Sequence, residues 1–428
     1  MTPEVAVVVH GHFYQPPREN PWTGRVPRER SASPFHDWNQ RIADECYRPF
    51  GAARVLDDAG VDAGRLNLFA HCSFNVGPTL AWWLDRFAPD VLASMVAGDR
   101  ASCAAAQGHG NAIAQPYHHL ILPLASRREK EAEVRWGIAD FTQRFGRVPE
   151  GMWLPETAVD DETLDVLAAA GIRFTIVAPH QVEGLPPSGG VGRWAAGGGR
   201  SIALCAYDGA LAADIAFGDL LRDGDRLADR LAEPGGPLRA VATDGETFGH
   251  HHTFGEMALA RAVSTLTHRP GVRLTNFAAY LAQHPATTTV SVVSPSSWSC
   301  VHGVERWRSD CGCAIDRAAW PSQAWRAPLR AALDWLAAAL RRGARDDDEA
   351  LERAIHRMFT SCAWFFDDLT RLEVGIVLRY ARWAMERAGR VAELEGPFLA
   401  HLARAVSGDP DGGDGVTAYR SAIAAHRS

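Results

Sequence analysis

Short apolar or β-branched runs alternate with helical patterns through roughly the first 280 residues, and this alternation constrains the fold more than any other feature. Residues 5–9 form an unbroken Val/Ala run that reads as a strand buried on both faces, and 65–69, 174–178, 202–207, 239–243 and 272–275 read as further strands. Between them, 42–59, 80–97, 127–145, 161–170, 220–231 and 254–267 carry helical patterns. Repeated strand–helix units predict a parallel sheet, and so many in succession predict a closed or nearly closed barrel. Residues 18–39 mix proline, charge and aromatics without a period, and read as a large loop over the strand ends. Beyond Ser294 the character changes. An aromatic and cysteine-rich loop at 298–325 is followed by helical patterns at 328–340, 349–364, 372–388 and 397–406, with a charged connection at 341–348. The expected division is a catalytic barrel at 1–290 and an all-helical region at 291–428.

Composition narrows the partners. With 46% apolar and 22% charged residues the chain has the balance of a folded globular protein. A formal charge of −7 without clustered lysines argues against nucleic-acid or anionic-membrane surfaces, which need a basic patch. The opening Met1-Thr2-Pro3-Glu4 and the short apolar run after it do not read as a secretory signal or a membrane span, so a cytoplasmic enzyme acting on neutral substrates is expected. Fourteen tryptophans are an excess; Trp22, Trp38, Trp153, Trp298, Trp307 and Trp325 lie beside polar or Gly/Pro-rich segments, where a ring could stack on sugar, although core packing is the simpler role for each. The eight cysteines read as free thiols. Cys300, Cys311 and Cys313 lie near His302 and Asp310, but their spacing lacks the two or more intervening residues usual between paired zinc-binding cysteines.

Two carboxylate segments follow predicted strands, Trp153-Leu154-Pro155-Glu156-Thr157 and Thr243-Asp244-Gly245-Glu246 through His250. Strand ends are where an α/β enzyme keeps its chemistry, and two carboxyl groups in one cleft are the minimal equipment for glycoside cleavage. His10 and His12 alternate on a strand end and therefore share one face, as a metal pair or as donors to sugar hydroxyls. The helical His-x-x-x-His of metal-dependent sugar deacetylases is missing from the sequence. A deacetylase and a catalytically silent glucan-binding protein remain the alternatives to a glycosidase or glycosyl transferase.

Four stretches resemble the short motif regions of glycoside hydrolase family 57, which acts on α-glucans: residues 10–17, 117–124 with His119, 153–156, and 244–250. The resemblance implies a distorted TIM-like (β/α)7 barrel followed by an all-helical C-terminal domain, and a retaining double displacement without metal or cofactor. It makes Glu156 the nucleophile and Asp244 the general acid/base, with His10, His12 and His119 lining the donor-sugar subsite. Gln15, Trp153, Glu246, His250 and Trp298 are further substrate-binding candidates. Glu246 could raise the Asp244 pKa or pair with a barrel arginine. Phe13-Tyr14 inserted before Gln15, the stretch 298–307, and 360–368 resemble a subgroup with a C-terminal domain of unknown function. Arg306, Trp307 and Asp310 could then close the cleft from the C-terminal side, or form an interdomain packing knot. The implied partner is an α-linked glucan oligo- or polysaccharide.

Overall fold

The computed structural model describes residues 5–57, 59–342, 344–345 and 348–424, so residues 1–4 and part of the charged connection 341–348 lie outside the described residues. The apolar run at the N-terminus forms the strand Val5–Phe13, buried along nearly its whole length because elements cover both faces of the sheet. It is the central stave of a barrel. On one side it pairs in parallel with Leu238–Asp244, and on the other with Ser73–Val76. The register sets His12 against Asp244 and Asn75, and His10 against Ser73. Val272–Leu274 pairs with its first residues.

The wall continues from Ser73–Val76 to Ala112–Ile113, then through the parallel bridges Ala114↔Met152 and Gly151↔Phe174 to Phe174–Val177 and Ser201–Ala206. Asp208 N–H donates to the Ala240 carbonyl at 2.8 Å, which returns the wall to Leu238–Asp244. The result is a seven-staved (β/α) barrel whose fourth stave, around Met152, is held by single bridges.

Several local readings needed correction. Residues 65–69 are not a barrel stave: Asp62–Leu66 forms an exposed antiparallel hairpin with Ala53–Leu56, and the stave is Ser73–Val76. The helix expected over 42–59 therefore ends by Gly51, after Trp38–Ile42, a π-turn at Ala43–Tyr47 and Arg48–Gly51. Pro89 cannot donate a backbone hydrogen bond, so the expected helix 80–97 is two helices, Pro78–Phe87 and Pro89–Ala105. Gly190–Ala195, unread in the sequence, lies antiparallel to Ser201–Ala206. By contrast Arg127–Phe145 keeps its expected bounds, with a Ser126/Glu129 capping box at one end and left-handed Gly146 at the other.

After Ser291–Val292 no further strand occurs among the described residues. The helices Arg326–Arg341, Glu349–Arg357, Cys362–Phe365, Leu372–Arg387, Val391–Leu402 and Gly415–Ala424 form the C-terminal region. The expected helix 349–364 is interrupted because Thr360 bridges to Leu120 and Ser361 N–H donates to the His119 carbonyl. Beside that contact, buried Glu133 accepts from His118 Nδ1 at 2.6 Å and His356 Nδ1 at 2.7 Å, and from the His118 backbone N–H at 2.7 Å. Charge-assisted bonds of this kind satisfy a carboxylate that would be costly to bury alone. Among the described residues no helix is long and apolar enough to cross a membrane.

Candidate active site

The C-terminal end of the central strand carries His10 and His12 on one face, as their alternation predicts, and both rings stack on Trp153 with centroids 5.0 and 4.9 Å away. His10 reaches Ser73 Oγ at 2.9 Å and Asn75 Oδ1 at 3.2 Å. Asn75 Nδ2 lies 2.9 Å from His12 Nδ1 and donates to Gln115 Oε1 at 2.7 Å. His12 Nε2 faces His119 Nε2 at 3.3 Å, and His119 Nδ1 meets Ser361 Oγ at 2.6 Å. One set of neutral tautomers satisfies all of these contacts: His10 accepts from Ser73, His12 accepts from Asn75 and donates to His119, and His119 donates to Ser361. Burial favours that neutral state, drawing His10 and His12 down to about 3 and lowering His119 as well. Tyr14, one of the inserted pair, stacks on His119 at 3.6 Å.

Glu156 follows the weakest stave and has a left-handed backbone, φ +57°, as do Thr157 at +49° and His119 at +60°. Such conformations are unfavourable for residues with a Cβ and persist only where the surroundings hold them. A segment from beyond the barrel holds Glu156. Trp298 N–H donates to the Glu156 carbonyl at 3.1 Å and to Thr157 Oγ1 at 2.9 Å, while Val159 and Ser296 form an antiparallel bridge. The same segment supplies the carboxylate's donors: Ser299 Oγ at 2.7 Å and Trp298 Nε1 at 3.1 Å, both to Oε2. Buried Arg306 donates to the Ser299 carbonyl at 3.0 Å and, from the Nε/Nη2 edge, to the Phe365 carbonyl, while its face lies over the Phe365 ring. Burial lifts the Glu156 pKa, and Ser299, the Arg306 charge and Trp298 pull it back, leaving a net rise.

Asp244 ends its strand with its side chain exposed to the cleft. The crowding of the cleft walls, then the charges of Glu246 and Glu156, hold its carboxyl well above the usual carboxylate range. No donor among the described residues opposes them. Glu246 is buried and pushed up to about 7, chiefly by burial; its partner is the Tyr47 hydroxyl, with Gln15 also contributing, so no barrel arginine takes that place among the described residues. Gln15 in turn accepts from Arg18 at 3.2 Å.

The other candidates make no hydrogen bond to either carboxyl group among the described residues. His250 binds Glu45 at 2.5 Å and sits edge-on to Trp38. Trp307 and Trp325 are fully buried and offer no face to a sugar, which corrects the substrate-binding reading of Trp307. Trp153, also fully buried, likewise offers no face to a sugar, which corrects its substrate-binding reading; it backs the histidines. Asp310 accepts from Ser322 Oγ and Gln323 N–H and turns its own loop. Asn75, Tyr47 and Ser299 were missed because nothing in the neighbouring sequence marks them; only strand register and the return of 296–299 to the barrel bring them in.

The comparisons extend this picture. The model of Glycosyl hydrolase family 57 matches residues 11–293, and a domain of unknown function (DUF3536) matches residues 348–428. Among solved structures, the 4-alpha-glucanotransferase from Thermococcus litoralis is 16% identical with TM-score 0.64, covering 89% of this chain, which spans only 60% of that one. The family 57 branching enzyme from Pyrococcus horikoshii is 15% identical with TM-score 0.60, covering 99% of this chain and 94% of that one. The alpha-amylase AmyC from Thermotoga maritima is 12% identical with TM-score 0.56, covering 97% and 99%. No curated protein matches the chain. At such identities the likeness carries the fold, whereas the family match spans well over half of the sequence: the chain belongs to glycosyl hydrolase family 57.

Proposed function

We propose that the protein is a retaining hydrolase or transglycosylase of α-glucans whose chemical steps use no metal, with Glu156 as nucleophile and Asp244 as general acid/base. The observation that carries this reading is the unequal treatment of the two carboxyl groups. Glu156 has two hydrogen-bond donors and a nearby guanidinium that favour its anion, while Asp244 has two acidic neighbours and no donor. Environments that push two carboxyl pKa values apart define acid and base roles. Ionised Glu156 attacks the anomeric carbon as the glycosidic C–O bond breaks and Asp244 gives its proton to the leaving oxygen. A water or a sugar hydroxyl, losing its proton to Asp244, then attacks the same carbon and releases Glu156. Gln15 and Trp298 are the proposed sugar-facing groups; His10, His12 and His119, whose ring nitrogens are taken up by one another and by Ser73, Asn75 and Ser361, form with Trp153 the buried wall behind them. The proposed organisation is a catalytic barrel to about residue 290 and a helical region thereafter, the segment 294–307 belonging functionally to the cleft.

The test is incubation with a panel of α-linked oligo- and polysaccharides, reading product masses and anomeric configuration. Retained configuration supports the mechanism, and longer or branched products would identify transfer. Inverted products, or full activity in both Glu156→Gln and Asp244→Asn, would defeat it.

A further inference from the structure

Immediately after Ser299, which holds Glu156, the chain enters a cluster of four metal-ligating side chains. Cys300 Sγ, His302, Cys311 Sγ and Cys313 Sγ offer ligand atoms that all lie within 4.8 Å of one another. Cys300 and Cys313 sulfurs are 3.8 Å apart, Cys300 and Cys311 sulfurs 3.9 Å, and Cys313 Sγ is 3.6 Å from His302 Nδ1. A tetrahedral zinc with Zn–S of about 2.3 Å and Zn–N of about 2.05 Å requires S···S edges of about 3.75 Å and S···N edges of about 3.55 Å. The three distances match that polyhedron. They are far too long for disulfides, and all these cysteines are free.

The sequence spacing argued against a metal here, and the structure shows how the spacing is overcome. Gly312, at φ +80°, turns the chain between Cys311 and Cys313 through a conformation that residues with a Cβ rarely adopt, so two cysteines one residue apart reach the same centre. Two further observations point to a ligand. Residues 308–325 contain no helix or strand, a long irregular stretch to order without a crosslink. Arg306 and Arg326 are buried beside this cluster, Arg326 donating to the Cys313 carbonyl at 2.8 Å; neither forms a direct ion pair among the described residues, the nearby carboxylates being Glu156 for Arg306 and Asp367 for Arg326. Three thiolates, a neutral imidazole and Zn²⁺ carry a net charge of about −1, which the two buried guanidinium groups beside the cluster would offset.

The geometry points to a structural Cys3His zinc site formed by Cys300, His302, Cys311 and Cys313, which fixes the segment carrying Trp298 and Ser299 against Glu156. Binding releases the thiol protons to solvent as the thiolates take the metal. With four protein ligands the coordination sphere is closed, leaving no position for a reacting water, so the metal shapes the cleft without entering the reaction.

The test uses the full chain, purified under reducing conditions without a metal-affinity tag and incubated with zinc, with metal measured by mass spectrometry. Close to one zinc per chain is expected, and cobalt in its place should show tetrahedral d–d absorption with thiolate charge-transfer bands. Cys313→Ser should lose stoichiometric metal and those bands. His302→Ala, an exposed position whose loss the fold should tolerate, should weaken zinc binding at least about tenfold. Folded protein that takes up no zinc, or a zinc content and affinity unchanged in both variants, would overturn the proposal. None of these readouts depends on activity, so their failure is separable from failure of the glycosidase reading.

Discussion

The two candidate catalytic carboxyl groups are held in opposite ways. Asp244 is the last residue of a strand zipped to its neighbour from Ala6↔Leu238 to His12↔Asp244, and its position follows from backbone register alone. Glu156 hangs from a stave made of single bridges, in a strained left-handed conformation, and is fixed by Trp298, Ser299 and Arg306 from a segment more than 140 residues away. Under the proposed roles this is a division of labour: the barrel would present an acid with no donors around it, and the added segment would supply the donors that a nucleophile needs to stay ionised.

Substitutions can break or sharpen that contrast. Glu156→Gln should show the largest effect, a loss of kcat on the order of 10⁴-fold or more on every substrate, because no group replaces the nucleophile. Asp244→Asn should cost about 10²–10⁴-fold on glucans but much less on glycosides with leaving groups that need no proton, which steady-state kinetics on matched substrates would reveal. Ser299→Ala removes one bond to a charged carboxylate, about 1.5–3 kcal/mol, and so about 10–100-fold in kcat. Since the lost donor favours the anion, the Glu156 pKa should rise and the acid limb of the pH–rate profile should move to higher pH.

Glu246→Gln should have the smallest effect on rate. Removing a negative neighbour lowers the Asp244 pKa, so the basic limb moves to lower pH. The same variant tests a stability effect. Glu246 is raised in the folded state from 4.5 to about 7, so the fold binds the extra proton more tightly than the unfolded chain. That contribution is complete below pH 4.5 and is lost as pH rises to about 7, by at most about 3 kcal/mol. Urea titrations should show this slope in the parent and a flatter one in the variant.

The strand-built half of the site was legible in the sequence. An unbroken Val/Ala run leading into His10 and His12, and a second apolar run ending in Asp244, state both the strand and what it delivers. The loop-built half was legible only as residue types. Trp298 and Arg306 stood out, whereas Ser299 did not, since a serine acquires meaning here only from the long-range return of the segment to Glu156. The strand expected before Glu156 shrinks to single bridges at Gly151 and Met152, so its place was legible but not its brevity. The hairpin Ala53–Leu56/Asp62–Leu66 went unread because its exposed second strand lacks the apolar alternation that marks a half-buried one. Trp307 misled in the other direction, as its polar neighbours suggested a surface ring while the fold buries it completely.

The most direct test of the central claim is covalent trapping. A fluorinated α-glucosyl fluoride, which slows breakdown of a glycosyl-enzyme, should leave one sugar per chain, and peptide mass mapping should place it on Glu156 in the parent protein. Label on another carboxylate, or rapid turnover of glucans by a protein whose Glu156 never acquires the sugar, would contradict the assignment.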